Sequence, residues 1–217
     1  MPVAADQRPT RDPERSRAAI LDAAEELFAD RGFEGASLAD IAAAAGLSRG
    51  TPSYFFNSKE MLYAAVLDRL FAERGIATAR AFAPLRRWLE DTEAGSLRTA
   101  LVDAVSGYTA FLLERPSFAR LIQREELSGG RRLESVRGRS TVMADTFSAL
   151  RAVAPRRGLR EFVVEDAVLV FVSLTFSPLT QRSTFMASLK RDLAERRIRG
   201  RHIELVADQL LCLVGER

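Results

Sequence analysis

The residues whose types and spacing say most about function lie between Ser37 and Lys59, in the stretch SLADIAAAAGLSRGTPSYFFNSK. The spacing predicts two short helices joined by a turn at Gly46, which is a helix-turn-helix. Ser37, with Asp40 three residues on, predicts a capping box at the start of the first of these helices. In such a unit the second helix enters the major groove of DNA while the first crosses the backbone. Phe56 can anchor the second helix from inside. Its outward positions are small or polar, namely Arg49, Gly50, Thr51 and Ser53.

Residue types that catalysis often uses are scarce in this chain. His202 is the only histidine and Cys212 the only cysteine among 217 residues. These counts exclude an intrachain disulfide, a thiolate zinc site and a His-pair metal site, and they disfavour a Ser/His or Cys/His hydrolase. We therefore expect no enzyme, no metal and no cofactor. We expect His202 at the surface or an interface, and Cys212 as buried apolar filler.

The charge distribution argues against a general positive field at the helix-turn-helix. The chain carries a formal net charge of +3, but residues 1–75 hold 9 Lys and Arg against 12 Asp and Glu. DNA binding would therefore depend on a few well-placed cations. No stretch approaches the ~20 apolar residues that span a bilayer, and residues 1–11 do not resemble a secretory signal. The sequence predicts a cytoplasmic protein with no membrane partner.

Helical periodicity continues along the whole chain, so an all-α fold is expected. Residues 1–12 are predicted to form a flexible arm, residues 13–75 a DNA-binding domain with the helix-turn-helix at about 37–56, and residues 76–217 a helical effector-binding and dimerisation domain. The first helix should span 13–31 and end at Gly32. Beyond Gly75 further helices are predicted near 76–91, 96–114, 117–127, 132–153, 160–177, 183–197 and 201–214, with Gly95, Pro178 and Gly200 among the breaks.

The first third of the sequence resembles the TetR family of bacterial transcriptional regulators. The matching motifs are Ile20-Leu21-x-Ala23-Ala24-x-x-Leu27-Phe28, Gly32-Phe33, Ser37-Leu38-x-x-Ile41-Ala42, Ala45-Gly46-Leu47-Ser48, Gly50-Thr51 and Tyr54-x-Phe56-x-Ser58-Lys59-Glu60-x-Leu62. The resemblance covers about residues 14–74. Beyond them only the helical architecture and the length are similar.

The resemblance implies roles for individual residues at a palindromic operator in double-stranded DNA. Arg49 would read base edges, because arginine suits guanine O6 and N7. Gly50 and Thr51 would lie against bases or phosphate. Phosphate contacts are implied for Ser53, Tyr54, Lys59 and Ser37, and Ser48 completes the implied DNA-binding set.

One departure from the family pattern concerns Pro52 and Ser53, where the family usually has an aliphatic residue and then Tyr. If Ser48 caps the second helix, Pro52 deletes an amide donor inside it. If the helix begins at Thr51, Pro52 falls in the first turn, where proline is favourable. The sequence leaves both alternatives open.

The resemblance also implies an effector cavity and a homodimer. The favoured cavity residues are Trp88, Tyr108, Phe111, Phe147 and Phe171. The last helices carry apolar residues that a second copy could cover, which are Val164, Val168, Phe171, Val172, Leu205, Leu210 and Leu213. The leading hypothesis is a repressor released by an unidentified small molecule. The alternative is a helical ligand- or partner-binding protein that has lost sequence-specific DNA binding, and a small enzyme ranks last.

Overall fold

A computed structural model describes residues 12–91, 95–136 and 140–215. Within these ranges the protein forms ten α-helices and no β-sheet, which confirms the predicted all-α class. The predicted arm lies outside the described residues except for Asp12, whose side chain accepts a hydrogen bond from Glu14 N–H at 3.0 Å and so caps the first helix. The chain divides into two compact units, Met1–Leu67 and Asp68–Arg217.

The first unit contains three helices and the beginning of a fourth. They are α1 (Pro13–Gly35), α2 (Leu38–Ala44), α3 (Thr51–Phe56) and α4 (Lys59–Ala81). Gly32 has a φ of 74°, so regular helical geometry in α1 stops at the residue where the sequence predicted it to stop. α1 packs on both α2 and α3. The buried core includes Ile20, Ala24, Phe28, Ile41, Phe56, Leu62 and Val66.

The predicted start of a new helix at residue 76 is wrong, because α4 continues through Gly75 to Ala81. A Cβ atom on Gly75 would lie 3.3 Å from the Cβ of Ser140. Glycine at this position therefore permits a close approach between helix and chain rather than ending the helix. The predicted helix 76–91 is instead the end of α4 followed by α5 (Ala83–Glu90).

The second unit is a helical bundle. After α5 its helices are α6 (Leu97–Glu114), α7 (Pro116–Leu127), α8 (Val142–Val153), α9 (Val164–Thr180) and α10 (Arg196–Val214). α10 packs on α6 and α9, α5 packs on α6, and α8 packs on α9. The predictions of α6 and α7 are confirmed to within one residue.

Three other helix predictions are wrong at one or both ends. Residues 131–135 form a short 3₁₀ helix and α8 starts only at Val142, whereas a helix over 132–153 was expected. Residues 160–163 are not helical, and α9 extends past the predicted end to Thr180. Gly200 lies inside α10 rather than before it.

The predicted helix at 183–197 is replaced by a turn of π-helix at Arg182–Met186 and then mostly irregular chain. Asp192 explains part of this change, since its carboxylate accepts a hydrogen bond from Ala194 N–H and pairs with Arg182 at 2.6 Å. These interactions, the backbone hydrogen bond first, lower the pKa of Asp192 below its ordinary value. Aspartate that bonds to nearby backbone in this way competes with helix formation.

Pro178 lies inside α9 instead of ending it. Proline has no N–H, so it cannot donate to the carbonyl of Leu174 four residues earlier. The ring nitrogen Nε2 of His202, on α10, lies 2.8 Å from that carbonyl oxygen and donates to it. The single histidine thus satisfies the acceptor that the proline leaves open.

Burial corrects several predictions about the last helices. Val164, Phe171 and Leu210 are buried within the chain itself, so they are not the exposed apolar surface that the sequence suggested. Cys212 is exposed, although it was expected to be buried. The buried face of α10 includes Leu210 and Val214, two positions before and after Cys212, and a two-residue offset on a helix turns a side chain by about 200°.

Candidate nucleic-acid interface

The beginning of α2 is fixed by a reciprocal cap between Ser37 and Asp40. Asp40 N–H donates to Ser37 Oγ at 3.1 Å, and the Ser37 hydroxyl donates to Asp40 Oδ2 at 2.7 Å. The hydrogen bond from the Ser37 hydroxyl, followed by one from Ser37 N–H, holds the pKa of Asp40 below its ordinary value. This confirms the capping box that the sequence predicted.

The turn between α2 and α3 requires glycine at one position. Gly46 has a φ of 66°, and its N–H donates to Ala43 O at 3.1 Å. The next residue, Leu47, donates its N–H to Ala42 O at 2.9 Å. This pair of bonds is the Schellman ending of a helix, and it sets the direction in which the chain leaves α2.

The second helix begins at Thr51, which settles the open question about Pro52. Gly50 is the N-cap residue and Pro52 occupies the second helical position, where it is buried and no helical donor is lost. Ser48 does not cap the helix, so that alternative is wrong. Instead its hydroxyl oxygen lies 2.6 Å from Oγ1 of Thr51, and its carbonyl accepts a hydrogen bond from Thr51 N–H at 2.9 Å.

The residues at and before this helix expose a polar surface. Arg49, Gly50 and Ser53 are exposed, Thr51 is half-buried, and the Tyr54 side chain is 82% exposed. A Cβ atom on Gly50 would meet nothing within 4 Å, and its φ of −82° suits any residue. Among the described residues, therefore, nothing requires glycine at position 50.

Lys59 stands at the start of α4 with its ammonium group over an aromatic ring. Its Nζ lies 4.4 Å from the ring centroid of Phe33. Ser58 caps the same helix, since its Oγ accepts a hydrogen bond from Met61 N–H at 3.2 Å. The sequence did not indicate that Met61 lies at the surface, where this residue is 59% exposed. An apolar residue in the first turn of an amphipathic helix gives no signal that it faces solvent.

Four of the five predicted effector residues lie together in the second unit. Tyr108 and Phe171 have ring centroids 5.3 Å apart, and the other members of this ring cluster are Phe82, Phe111 and Phe147. Two polar groups lie in the same part of α6, the hydroxyl of Tyr108 and the hydroxyl of Thr109. Arg74 Nε donates to the Tyr108 hydroxyl at 3.1 Å, and Thr109 Oγ1 is buried without a hydrogen-bond partner among the described residues.

Trp88, the fifth predicted effector residue, lines a separate groove of about 960 Å³. Three arginines that sequence reasoning missed share this groove, namely Arg156, Arg157 and Arg160. The sequence feature that could have indicated them is the occurrence of three arginines within six residues, in the segment PRRGLR at residues 155–160. In the described ranges no helix is long and apolar enough to cross a membrane, and no cluster of three or more His, Cys, Asp or Glu could hold a metal ion.

Comparisons with protein families match both parts of the chain. Residues 20–66 match the family described as bacterial regulatory proteins, tetR family, and residues 98–209 match the tetracyclin repressor-like C-terminal domain.

Two curated relatives are transcriptional regulators. The HTH-type transcriptional repressor NicS of Pseudomonas putida is 26% identical over 203 residues, covering 91% of this chain and 92% of NicS. The HTH-type transcriptional regulator RutR of Escherichia coli K12 is 35% identical over 139 residues, covering 62% of this chain and 59% of RutR.

Solved structures share the fold. A transcriptional regulator from Streptomyces coelicolor, SCO4942, superposes with a TM-score of 0.67 at 21% identity, covering 93% of this chain and 99% of that one. A TetR-family regulator from Mesorhizobium loti gives a TM-score of 0.64 at 23% identity, with 95% and 99% of the two chains covered.

Proposed function

The chain belongs to the tetR family of bacterial regulatory proteins, and from this premise we propose that it is a DNA-binding transcriptional repressor released by a small molecule. The observation that carries the proposal is the exposed polar surface formed by Arg49 and Gly50, just before α3, and by Ser53 and Tyr54 on α3, a helix that is buried through Phe56. A regulator named as a repressor, NicS, matches over nearly the whole chain.

In this proposal Arg49 reads a base edge in the major groove, and Gly50 and Thr51 lie against bases or phosphate. The absence of any internal steric reason for glycine at Gly50 supports a close approach of DNA at that position. Phosphates are bound by Tyr54 and Lys59. Ser37, Ser48 and Ser53 complete the proposed DNA-binding surface.

We propose a homodimer formed through α9, α10 and the segment between them. This region leaves large apolar side chains exposed, namely Leu169, Phe185, Leu189 and Leu205. A second copy would remove these side chains from water. The two-fold axis of the dimer would then present the two copies of α3 to the two halves of a palindromic operator.

The proposed effector site is the ring cluster around Tyr108. It offers apolar walls with few polar groups, the pattern that small-molecule sites use, and the unpartnered Thr109 Oγ1 is an available hydrogen-bonding group. An effector can release the operator only if it binds the DNA-free arrangement more tightly than the DNA-bound one. α4, which contains residues of both units, is the proposed element of coupling.

A mobility-shift titration tests the proposal, using the DNA upstream of the protein's own gene and the full chain. We expect a shifted band that survives excess unrelated duplex and disappears in the Arg49→Ala, Tyr54→Ala double variant. A double variant of exposed arginines outside the proposed DNA and dimer surfaces, Arg131→Ala with Arg151→Ala, is the matched control and should still bind. Equal affinity for operator and unrelated DNA would contradict the proposal and favour the helical ligand- or partner-binding alternative.

A further inference from the structure

The groove beside Trp88 combines an apolar floor with a positively charged rim. Its apolar lining residues are Trp88, Leu97, Leu159 and Leu211. The rim carries four arginines, which are Arg98, Arg156, Arg157 and Arg160. All of these residues belong to the second unit, and none of them is part of the ring cluster around Tyr108.

The positive charge of the groove is not cancelled by its own carboxylate. Among the described lining residues the only acidic side chain is Asp208, and Arg98 already pairs with it at 2.9 Å and with Glu204 at 2.6 Å. Among the described residues neither Arg156 nor Arg157 forms an ion pair, so these two cations give their side of the groove a positive charge. A concave site with charge of one sign attracts ligands of the other sign.

Two of these guanidinium groups are held in place. The Arg157 guanidinium lies 4.1 Å from the Trp88 ring centroid and its Nη2 donates to Leu89 O at 3.1 Å. Arg160 Nη1 donates to the carbonyl of Cys212 at 3.4 Å. Donors that are already ordered lose less conformational entropy when a ligand binds. Arginine also presents a planar fork of donors that matches a carboxylate.

We propose that this groove binds a small organic carboxylate with an apolar body. The arginines would bind the carboxylate, while the leucines and the indole would cover the apolar part. An inorganic anion would leave the apolar floor in water, and an uncharged molecule would leave Arg156 and Arg157 without an anionic partner. Binding here requires neither DNA nor the ring cluster, so its failure is distinguishable from a failure of the proposed repressor function.

Trp88 makes the test direct, because it is the only tryptophan in the chain and its fluorescence reports on this groove alone. The full chain is titrated with hexanoate, with the isosteric but neutral hexanamide, and with inorganic phosphate. We expect a saturable fluorescence change with hexanoate and affinities about tenfold weaker or worse for the other two probes. Calorimetry measures the same affinities without depending on the tryptophan.

Charge-reversal variants complete the experiment. Arg156→Glu should weaken hexanoate binding by about tenfold or more, since it places a like charge at the site. Arg151→Glu is the matched control, because Arg151 is equally exposed on α8 but does not line the groove, and it should bind as the parent does. Both variants should keep the parental Tm. Equal affinity for hexanoate and hexanamide, or an Arg156→Glu variant that binds hexanoate normally, would overturn the proposal.

Discussion

Gly50 is a position where the described part of the chain does not explain the choice of glycine. Its backbone conformation is open to any residue, and a Cβ atom there would meet no described atom within 4 Å. Gly46, four residues earlier, is the opposite case, since its positive φ is needed to end α2. At the residue scale, therefore, Gly46 is needed for folding, whereas glycine at position 50 fits the proposed close approach of DNA.

Replacing Arg49 with Ala should weaken operator binding by about 1–3 kcal/mol per site and relax the base preference at one operator position. The residue is exposed in the turn before α3, so its loss should leave the Tm unchanged. Binding to a set of operators with single base changes measures both effects. An Arg49→Ala protein that keeps the parental affinity and base preference would remove Arg49 from the interface.

Lys59→Met should weaken binding to all sequences alike and lower the salt dependence by about one unit per subunit, because one phosphate contact is lost. Methionine keeps an unbranched chain that can still pack on the Phe33 ring. Affinity measured against salt concentration, for operator and for unrelated DNA, checks this result. If only the operator affinity changed, Lys59 would be reading bases rather than binding phosphate.

At the scale of secondary-structure elements, α9 and α10 show how a local break is compensated across the bundle. Pro178 would ordinarily end a helix, yet α9 continues to Thr180 because His202 donates to the Leu174 carbonyl from the neighbouring helix. The same two helices carry the proposed dimer surface. Their relative position therefore depends on a hydrogen bond that no sequence pattern indicated.

His202→Ala should lower the free energy of unfolding by about 1 kcal/mol or more, because it leaves the Leu174 carbonyl without its donor. In the Pro178→Ala background the helix regains its own N–H donor, so the same substitution should cost measurably less. A double-mutant cycle followed by chemical denaturation gives the coupling between the two positions. Additive effects would show that the histidine does not compensate for the proline.

Gly200→Ala should stabilise the protein by about 0.5–1 kcal/mol, since Gly200 lies exposed inside α10 with open space at its Cβ position. Gly158→Ala is the matched contrast. Its φ of 66° favours glycine, so alanine there should be destabilising. Thermal unfolding of both variants distinguishes the two cases, and a destabilised Gly200→Ala would indicate that this surface is covered in the assembled protein.

At the scale of the whole molecule, the exposed apolar residues are unevenly distributed. Leu169 is 63% exposed and Leu205 50% exposed, and Phe185 and Leu189 lie in the segment between their helices. Four of the nine exposed large apolar residues of the described chain therefore lie between positions 169 and 205, and such a group is typical of an interface. Burial of this surface against a second copy would couple the stability of the chain to its concentration.

Leu205→Glu should convert the proposed dimer to a monomer, because an unpaired carboxylate would be buried at the interface. Operator affinity should fall with it, since a monomer addresses only one half of a palindrome. Leu127→Glu is the control, because Leu127 is 85% exposed on α7 and outside the proposed interface. Sedimentation measures the mass of each variant, and a dimeric Leu205→Glu that still binds operator would place the interface elsewhere.

Sequence alone determined the helical class, the capping box at Ser37, the turn at Gly46 and the positions at which α6 and α7 begin and end. These features depend on residues a few positions apart, so local periodicity, caps and backbone conformation are sufficient to predict them. The same locality explains why the sequence could state the two alternatives for Pro52 and could not choose between them. The start of α3 depends on how the turn packs against α1 and α2.

Tertiary structure decided the features that depend on distant partners. α4 passes through Gly75, where the lack of a side chain permits the close approach of Ser140, and α10 contains Gly200 because buried residues such as Val206 hold that helix to α6 and α9. The groove at Trp88 assembles arginines and apolar residues that are more than 60 positions away along the chain. Packing energy exceeds the small helix propensity of single residues, which is why no local pattern indicated these features.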